Sequence, residues 1–290
     1  LSFNEFLSAL NKEPLRKKLS ETTLNNENPE AIHLICMDVY KTYLLVGGLP
    51  GVVNAYLSEG NFFKAREVQK QLLIGYQADF TKYAPKTDAI KILHLWESIP
   101  QHLSKENKKF MFKVAKEGAR AREYENALTW LNDAGLILKL QNIEFPGIPL
   151  TAHKNKNIFK IYLFDTGLLG ALANIDPGIL VQKSGVFTAF KGALTENFVI
   201  QELVAHKKSN LAYWTSSGTA EVDIVCGYKG ENFPLEIKAE ANKKKKSLKV
   251  FGDKYDYEVL SHISGRNLKK DGNIINYPLY LASLFPDLSD

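Results

Sequence analysis

The feature that most constrains this chain is the stretch E-V-D-I-V-C-G-Y-K-G-E-N-F-P-L-E-I-K, residues 221–238. Glu221–Cys226 is rich in β-branched residues, and residues 227–232 carry two glycines among polar side chains. This predicts two short strands, Glu221–Cys226 and Phe233–Ala239, joined by a turn. Strand side chains alternate faces with a period of two. Glu221, Asp223 and Val225 then share one face of the first strand. Glu236 and Lys238 share a face of the second, opposite Leu235 and Ile237. Two carboxylates and one ammonium converge on one sheet edge. Carboxylate oxygens are the hard ligands that Mg²⁺ or Mn²⁺ prefers. A lysine beside them can orient a water or neutralise a phosphate, as metal-assisted phosphodiester hydrolysis requires. The plain alternative is two solvated strand faces with a surface ion pair, because short acidic–basic patterns are common.

The preceding segment, residues 190–206, predicts a helix. Glu196 lies three, four and seven residues before Val199, Ile200 and Leu203, so it sits on the apolar face. That places a carboxylate toward a sheet, and buried carboxylates are rare unless paired or bound to metal. Glu202 reads as an ordinary exposed residue. Leu211–Thr215 is a further short strand, followed by a Ser-Ser-Gly turn. The order is a helix with Glu196, a strand, a strand with Asp223, and a strand with Glu236 and Lys238.

The 290 residues are enough for two or three compact domains. Residues 1–85 read as a helical, lid-like region: helices over 30–46, 51–58 and 62–80, broken by the Gly47-Gly48-Leu49-Pro50 run. Residues 86–164 read as a winged helix, with helices over Thr87–Glu97, 105–116 and Glu123–Ala134 and wing strands Leu136–Gln141 and Ile158–Phe164. The third helix exposes Arg120, Arg122, Glu123, Glu125 and Asn126, a mixed charge that reads DNA grooves poorly. Asp165 is open to a functional role, but its position fits better a cap for the short helix that starts near Thr166. Residues 165–290 form the last domain, with an αβββαβ core over 184–264 that includes a crossover helix over Lys243–Phe251 and a strand over Tyr257–Ser264, and a last strand or helix over Ile274–Leu284.

The net charge of +5 is modest, but its distribution is uneven. Bases cluster at Lys108, Lys109 and Lys113, at Lys154 and Lys156, and at Lys243, Lys244 and Lys245. Clustered bases are the footprint of phosphate-backbone binding, so DNA is the expected partner. Each cluster read alone fits a solvated lysine-rich face equally well. No run of about 18 apolar residues exists, which predicts no membrane span, and no signal peptide is evident. The two cysteines, Cys36 and Cys226, have no metal-ligand spacing, nor do the histidines. A cytoplasmic location is expected. The Walker pattern is absent, so no ATP site is expected in this chain.

The order of motifs resembles the PD-(D/E)xK nuclease superfamily. The wider chain resembles the C-terminal part of a prokaryotic AAA-type ATPase family that carries a nuclease-like domain after a winged helix. The residues behind this are Y-L-L-V-G-G-L-P from Tyr43, Y-Q-A-D-F from Tyr76, R-A-R-E-Y-E-N-A-L-T-W-L from Arg120, F-K-I-Y-L-F-D-T-G-L-L from Phe159, and E-V-D-I-V with P-L-E-I-K. The resemblance implies a multidomain α+β fold: N-terminal helical region, winged helix, and a C-terminal restriction-endonuclease-like αβββαβ core. It implies that Asp223 and Glu236 hold Mg²⁺ or Mn²⁺ with the Ile237 carbonyl, that Lys238 positions the attacking water, and that Glu196 is an outer or second-metal ligand. Asp223 follows Val222 where the superfamily pattern has Pro. It implies an AAA ATPase core, or further copies of the chain, as partners. Two functions remain open: a metal-dependent DNA nuclease module, or a non-catalytic nuclease-fold module for DNA or protein binding and assembly.

Overall fold

The computed structural model describes residues 1–26, 28–178, 188–239 and 246–288. Lys243, Lys244 and Lys245 lie outside the described residues. The architecture is mixed α and β, with an eight-stranded mixed sheet.

In chain order the helices are α1 (Phe3–Ala9), α2 (Glu13–Ser20), α3 (Glu30–Val46), α4 (Pro50–Glu59), α5 (Phe62–Tyr83), α6 (Ala89–Leu103), α7 (Phe112–Ala115), α8 (Ala121–Asp133), α9 (Thr166–Leu172), α10 (Thr188–Ala205) and α11 (Lys246–Tyr255). The strands are β1 (Ile137–Ile143), β2 (Lys154–Leu163), β3 (Leu211–Thr215), β4 (Glu221–Tyr228), β5 (Glu231–Ile237), β6 (Leu260–Ser264), β7 (Lys269–Asp271) and β8 (Ile274–Pro278). The sheet order is β2-β1-β3-β4-β5-β6-β8-β7.

The chain divides into two compact units that interleave along the sequence. One comprises Leu1, Tyr43–Lys139 and Lys160–Asn197. The other comprises Ser2–Thr42, Leu140–Phe159 and Phe198–Asp290. Four of the crossings fall inside α3, β1, β2 and α10.

In the first unit, α6 buries Ile92, Leu95, Trp96, Ile99 and Leu103, the i, i+3, i+4, i+7 stripe of an amphipathic helix. Trp96 and Trp130 both pack edge-on to Phe80. Two of the motif segments meet here. Asp165 caps α9, accepting from the Leu168 N–H at 2.8 Å, and also accepts from the Gly48 N–H at 2.7 Å. Gly47 has φ of 75°, and a Cβ there would stand 2.3 Å from Asp165 Oδ1. A Cβ on Gly167 would come within 2.5 Å of the Gly47 nitrogen. Gly167 is thus needed because the two backbones touch, and Gly47 because of its positive φ and the Asp165 carboxylate against it.

The expected basic helix over 105–116 is shortened to Phe112–Ala115. Asn107 Oδ1 accepts from the Lys109 N–H at 2.9 Å, a local turn that competes with helix. Lysines at 105, 108, 109, 113 and 116 would also repel one another at helical spacing.

In the second unit, Phe3, Phe6 and Leu7 of α1 are buried, and Phe3 and Tyr40 pack edge-on to Phe198. Strands β3, β4 and β5 are antiparallel neighbours, and β5, β6 and β8 run parallel. Helix α11 buries Leu248 and Phe251 in a core with Ala212, Trp214, Val222, Val225 and Leu260. The last segment is a strand, Ile274–Pro278, continued by a 3-10 turn over Leu279–Leu284.

Candidate functional site

The β4–β5 hairpin closes on Lys229 and Gly230, with φ of 48° and 86°. Two successive positive φ values are the requirement of the tight turn that matches strand twist. The register runs from Tyr228↔Glu231 to Ile224↔Leu235. One step further places Asp223 beside Glu236.

Toward β3, Ala212 pairs with Val225 and Trp214 pairs with Val222. Strand β4 thus takes three steps where β3 takes two, which is a β-bulge at Asp223 and Ile224. Bulges re-aim side chains. This one puts Val222 and Val225 in the same core cluster although strict alternation would separate them.

Asp223 Oδ2 accepts from the Ile237 N–H at 2.7 Å. The Lys238 ammonium lies 2.6 Å from Glu236 Oε1 and 3.8 Å from Asp223 Oδ2. Its own backbone N–H donates to the Ile263 carbonyl at 2.9 Å, which fixes the end of β5 against β6. The side chains of Asp223, Glu236 and Lys238 are 15%, 9% and 31% exposed, so the lysine is the most accessible of the three. The structure therefore brings together the three residues chosen from the hairpin.

Glu196 has its contacts in the other unit. Its carboxylate takes the Lys108 ammonium and the Tyr162 hydroxyl, with Lys160 at 3.6 Å. Burial pushes its carboxyl up, but Lys108, Lys160 and the hydrogen bond from Tyr162 override this and hold it below the usual carboxylate range. Among the described residues, no three His, Cys, Asp or Glu side chains gather as one metal-binding group. Lys108, expected on a nucleic-acid surface, is directed to Glu196. Lys109 and Lys154 are half-buried, and Lys113 and Lys156 are exposed.

Glu202, expected to be exposed, is buried at 1%. Its helix face turns toward α1, where it accepts from the Phe3 N–H at 2.8 Å. Burial pushes its carboxyl up to about 8.

A polar row across the sheet has no signal in spacing. His262 pairs with Glu236 across β5–β6 and with Asn276 across β6–β8. Asn276 Nδ2 donates to the carbonyls of Arg266 and Asn267 at 3.2 and 2.9 Å, so its Oδ1 is the acceptor for His262 Nδ1 at 2.8 Å and Ser264 Oγ at 2.6 Å. His262 thus carries its proton on Nδ1. Only the pairing of β5, β6 and β8 reveals this neighbour of Glu236.

The comparisons give no activity. The model of a domain of unknown function, DUF8612, matches residues 37–178, and that of another, DUF4143, matches residues 191–281. The second match contains Asp223, Glu236 and Lys238. Among curated proteins, the chain is similar to the uncharacterized proteins Rv2008c of Mycobacterium tuberculosis and Mb2031c of Mycobacterium bovis. Each is 33% identical over 119 residues, 41% of this chain and 24% of the relative. The chain thus spans about a quarter of the length of the curated relatives it matches. No solved structure matches. No single helix among the described residues is long and apolar enough to cross a membrane.

Proposed function

We propose that the chain is a metal-dependent DNA nuclease-like module, with Asp223, Glu236 and Lys238 at the reacting phosphodiester. The observation that carries this reading is the bulged hairpin, which sets two carboxylates and an ammonium side by side at the end of β5. The residues fit Mg²⁺ or Mn²⁺: one or two protein carboxylates, completed by water and substrate phosphate, are a usual Mg²⁺ donor set. When bound, such an ion polarises a phosphoryl oxygen and lowers the pKa of a bound water.

Asp223 and Glu236 would hold the ion. Asp223 Oδ2 already accepts from Ile237, which locks its rotamer before any ligand arrives. Lys238 balances one of the two negative charges, so the site keeps one net negative charge to attract a cation. With a cation held there, Lys238 would turn toward the incoming phosphate and its water. Its greater exposure suits it to that movement.

The winged-helix reading of residues 86–164 belongs to the same proposal, supported by the order α6, α7, α8, β1, β2. Arg120 at the cap of α8 and its outward residues Arg122, Glu123, Glu125 and Asn126 are all exposed and of mixed charge, which argues against base readout by this helix. Association with an AAA-type ATPase core rests on the motif order alone.

The test is cleavage of supercoiled and branched DNA with Mg²⁺ or Mn²⁺, beside Asp223→Asn and Lys238→Met. Asparagine keeps an acceptor for the Ile237 N–H and removes the charge. Cleavage by the wild type that disappears in both variants supports the reading. No cleavage, together with no rise in melting temperature on adding Mn²⁺, refutes it.

The commitment of Glu196 to Lys108, Lys160 and Tyr162 favours the second reading, a nuclease-fold module that binds DNA or protein without cleaving it. Under that reading the Asp223→Asn variant binds DNA as the wild type does.

A further inference from the structure

Helix α11 carries an unusual outward face in the sheet-bearing unit. Lys246, Lys249, Val250, Asp253 and Lys254 are exposed, and their spacing places them along one side of the helix. At its N-terminal end, Lys246, Lys249 and Arg266 line a cavity of about 630 Å³ that Asp271, Gly272 and Asn273 also border. At its C-terminal end, Tyr255, Asp256, Tyr257, Phe145 and Pro146 line a second cavity of about 210 Å³.

The rings at that second end are fixed from beneath. Trp214 Nε1 donates to the Tyr255 hydroxyl at 3.1 Å, and that hydroxyl donates to the Glu144 carbonyl at 2.9 Å. Phe251 packs against Tyr255 and Tyr257 at centroid distances of 5.0 and 5.2 Å. Phe145 lies 5.8 Å from Tyr255 yet remains 54% exposed. The Lys254 ammonium lies 5.1 Å from the Tyr255 ring. Phe145, the ring left most open to water, offers a flat surface to another ring, and the half-buried Tyr255 holds it in place.

We propose that this face of α11 is a track for single-stranded nucleic acid, with backbone phosphates at the Lys246, Lys249 and Arg266 end and bases stacked on Phe145 and the two tyrosines. Charge sets that direction. Asp253, Asp256 and Glu258 flank the aromatic end and repel phosphate, so bases and not backbone lie there. The ten residues of α11 span about 15 Å at 1.5 Å per residue, the reach of a few nucleotides. Bases in a duplex are already stacked on each other and present no free face, which selects a single strand. The proposal rests on the DNA-processing reading and names the substrate class for it.

The experiment uses the whole chain in EDTA, so that binding is read without cleavage. Fluorescence anisotropy compares a labelled oligothymidylate of about 16 nucleotides with a duplex of equal length across a salt series. The single strand should bind tighter. Phe145→Ala should weaken it about tenfold, and Phe145→Trp should restore it. Lys249→Ala should lower the slope of log affinity on log salt by about 0.7, one phosphate contact. Equal binding of duplex and single strand, or wild-type affinity in Phe145→Ala, overturns the track. Oligonucleotide binding without cleavage supports the track and counts only against hydrolysis. Cleavage without oligonucleotide binding counts only against the track.

Discussion

Glu202 lies 2.8 Å from the Phe3 backbone N–H with its side chain only 1% exposed, so a carboxyl closes the start of α1 from inside the protein. Burial raises this carboxyl from 4.5 to about 8, with the nearby Glu5 charge adding to it. The folded state therefore prefers the protonated form. Its stabilising contribution is complete below pH 4.5 and is lost as the pH rises toward about 8. Glu202→Gln keeps an acceptor for Phe3 and cannot ionise. It should melt higher than the wild type near pH 8, by roughly 2–4 °C per kcal/mol recovered, and no higher near pH 4. Melting curves with the same pH slope in both proteins would refute this.

Glu196 behaves in the opposite sense. Its carboxyl is held below 4.5, so its contribution is present above pH 4.5 and declines as the pH falls below that value. Glu196→Gln removes the charge that Glu196 offers to Lys108 and to the fully buried Lys160. Removing one partner of a buried ion pair costs about 3–5 kcal/mol. Urea unfolding at neutral pH should show that loss, and the gap should narrow in acid.

Asp165→Ala removes the acceptor of both Gly48 and Leu168 at a 2%-exposed site. A cost of about 1–3 kcal/mol is expected for the orphaned N–H groups. Gly47→Ala should be at least as damaging, because its Cβ meets Asp165 and its φ is positive. The pair made together should cost less than the sum, since each disturbs the same contact. A double-mutant cycle by denaturant unfolding checks this.

Cys36 and Cys226 are both buried, and burial pushes each thiol up to about 12. Native protein should be almost inert to a thiol-directed disulfide reagent at neutral pH. Both thiols should react at once in denaturant. Labelling of either cysteine in the native state would show that its surroundings open.

The hairpin, the Glu196 helix and the three strands around Asp223 were legible because β-branched runs, two glycines and a 3.6-residue stripe are local signals. Asp165 was legible as a cap for the same reason. Glu202 was not: α10 is buried nearly all round between Ala193 and Leu203, so its face assignment depended on α1, some two hundred residues away in sequence. The partners of Glu196 were hidden in the same way, since Lys108 sits 88 residues away. The 105–116 segment misled because its lysines suit a helix singly and repel in a series. The bulge at Asp223 arises from pairing with β3, and no reading of β4 alone contains it.

The interleaving of the two units has a consequence for how this chain can be cut. Four passages between them lie within α3, β1, β2 and α10, not in loops. A protease that needs an open segment finds no loop at those positions. A recombination breakpoint placed at any of them severs a helix or a strand. Neither half can be transplanted as a cassette, because each is cut from the other inside a helix or a strand.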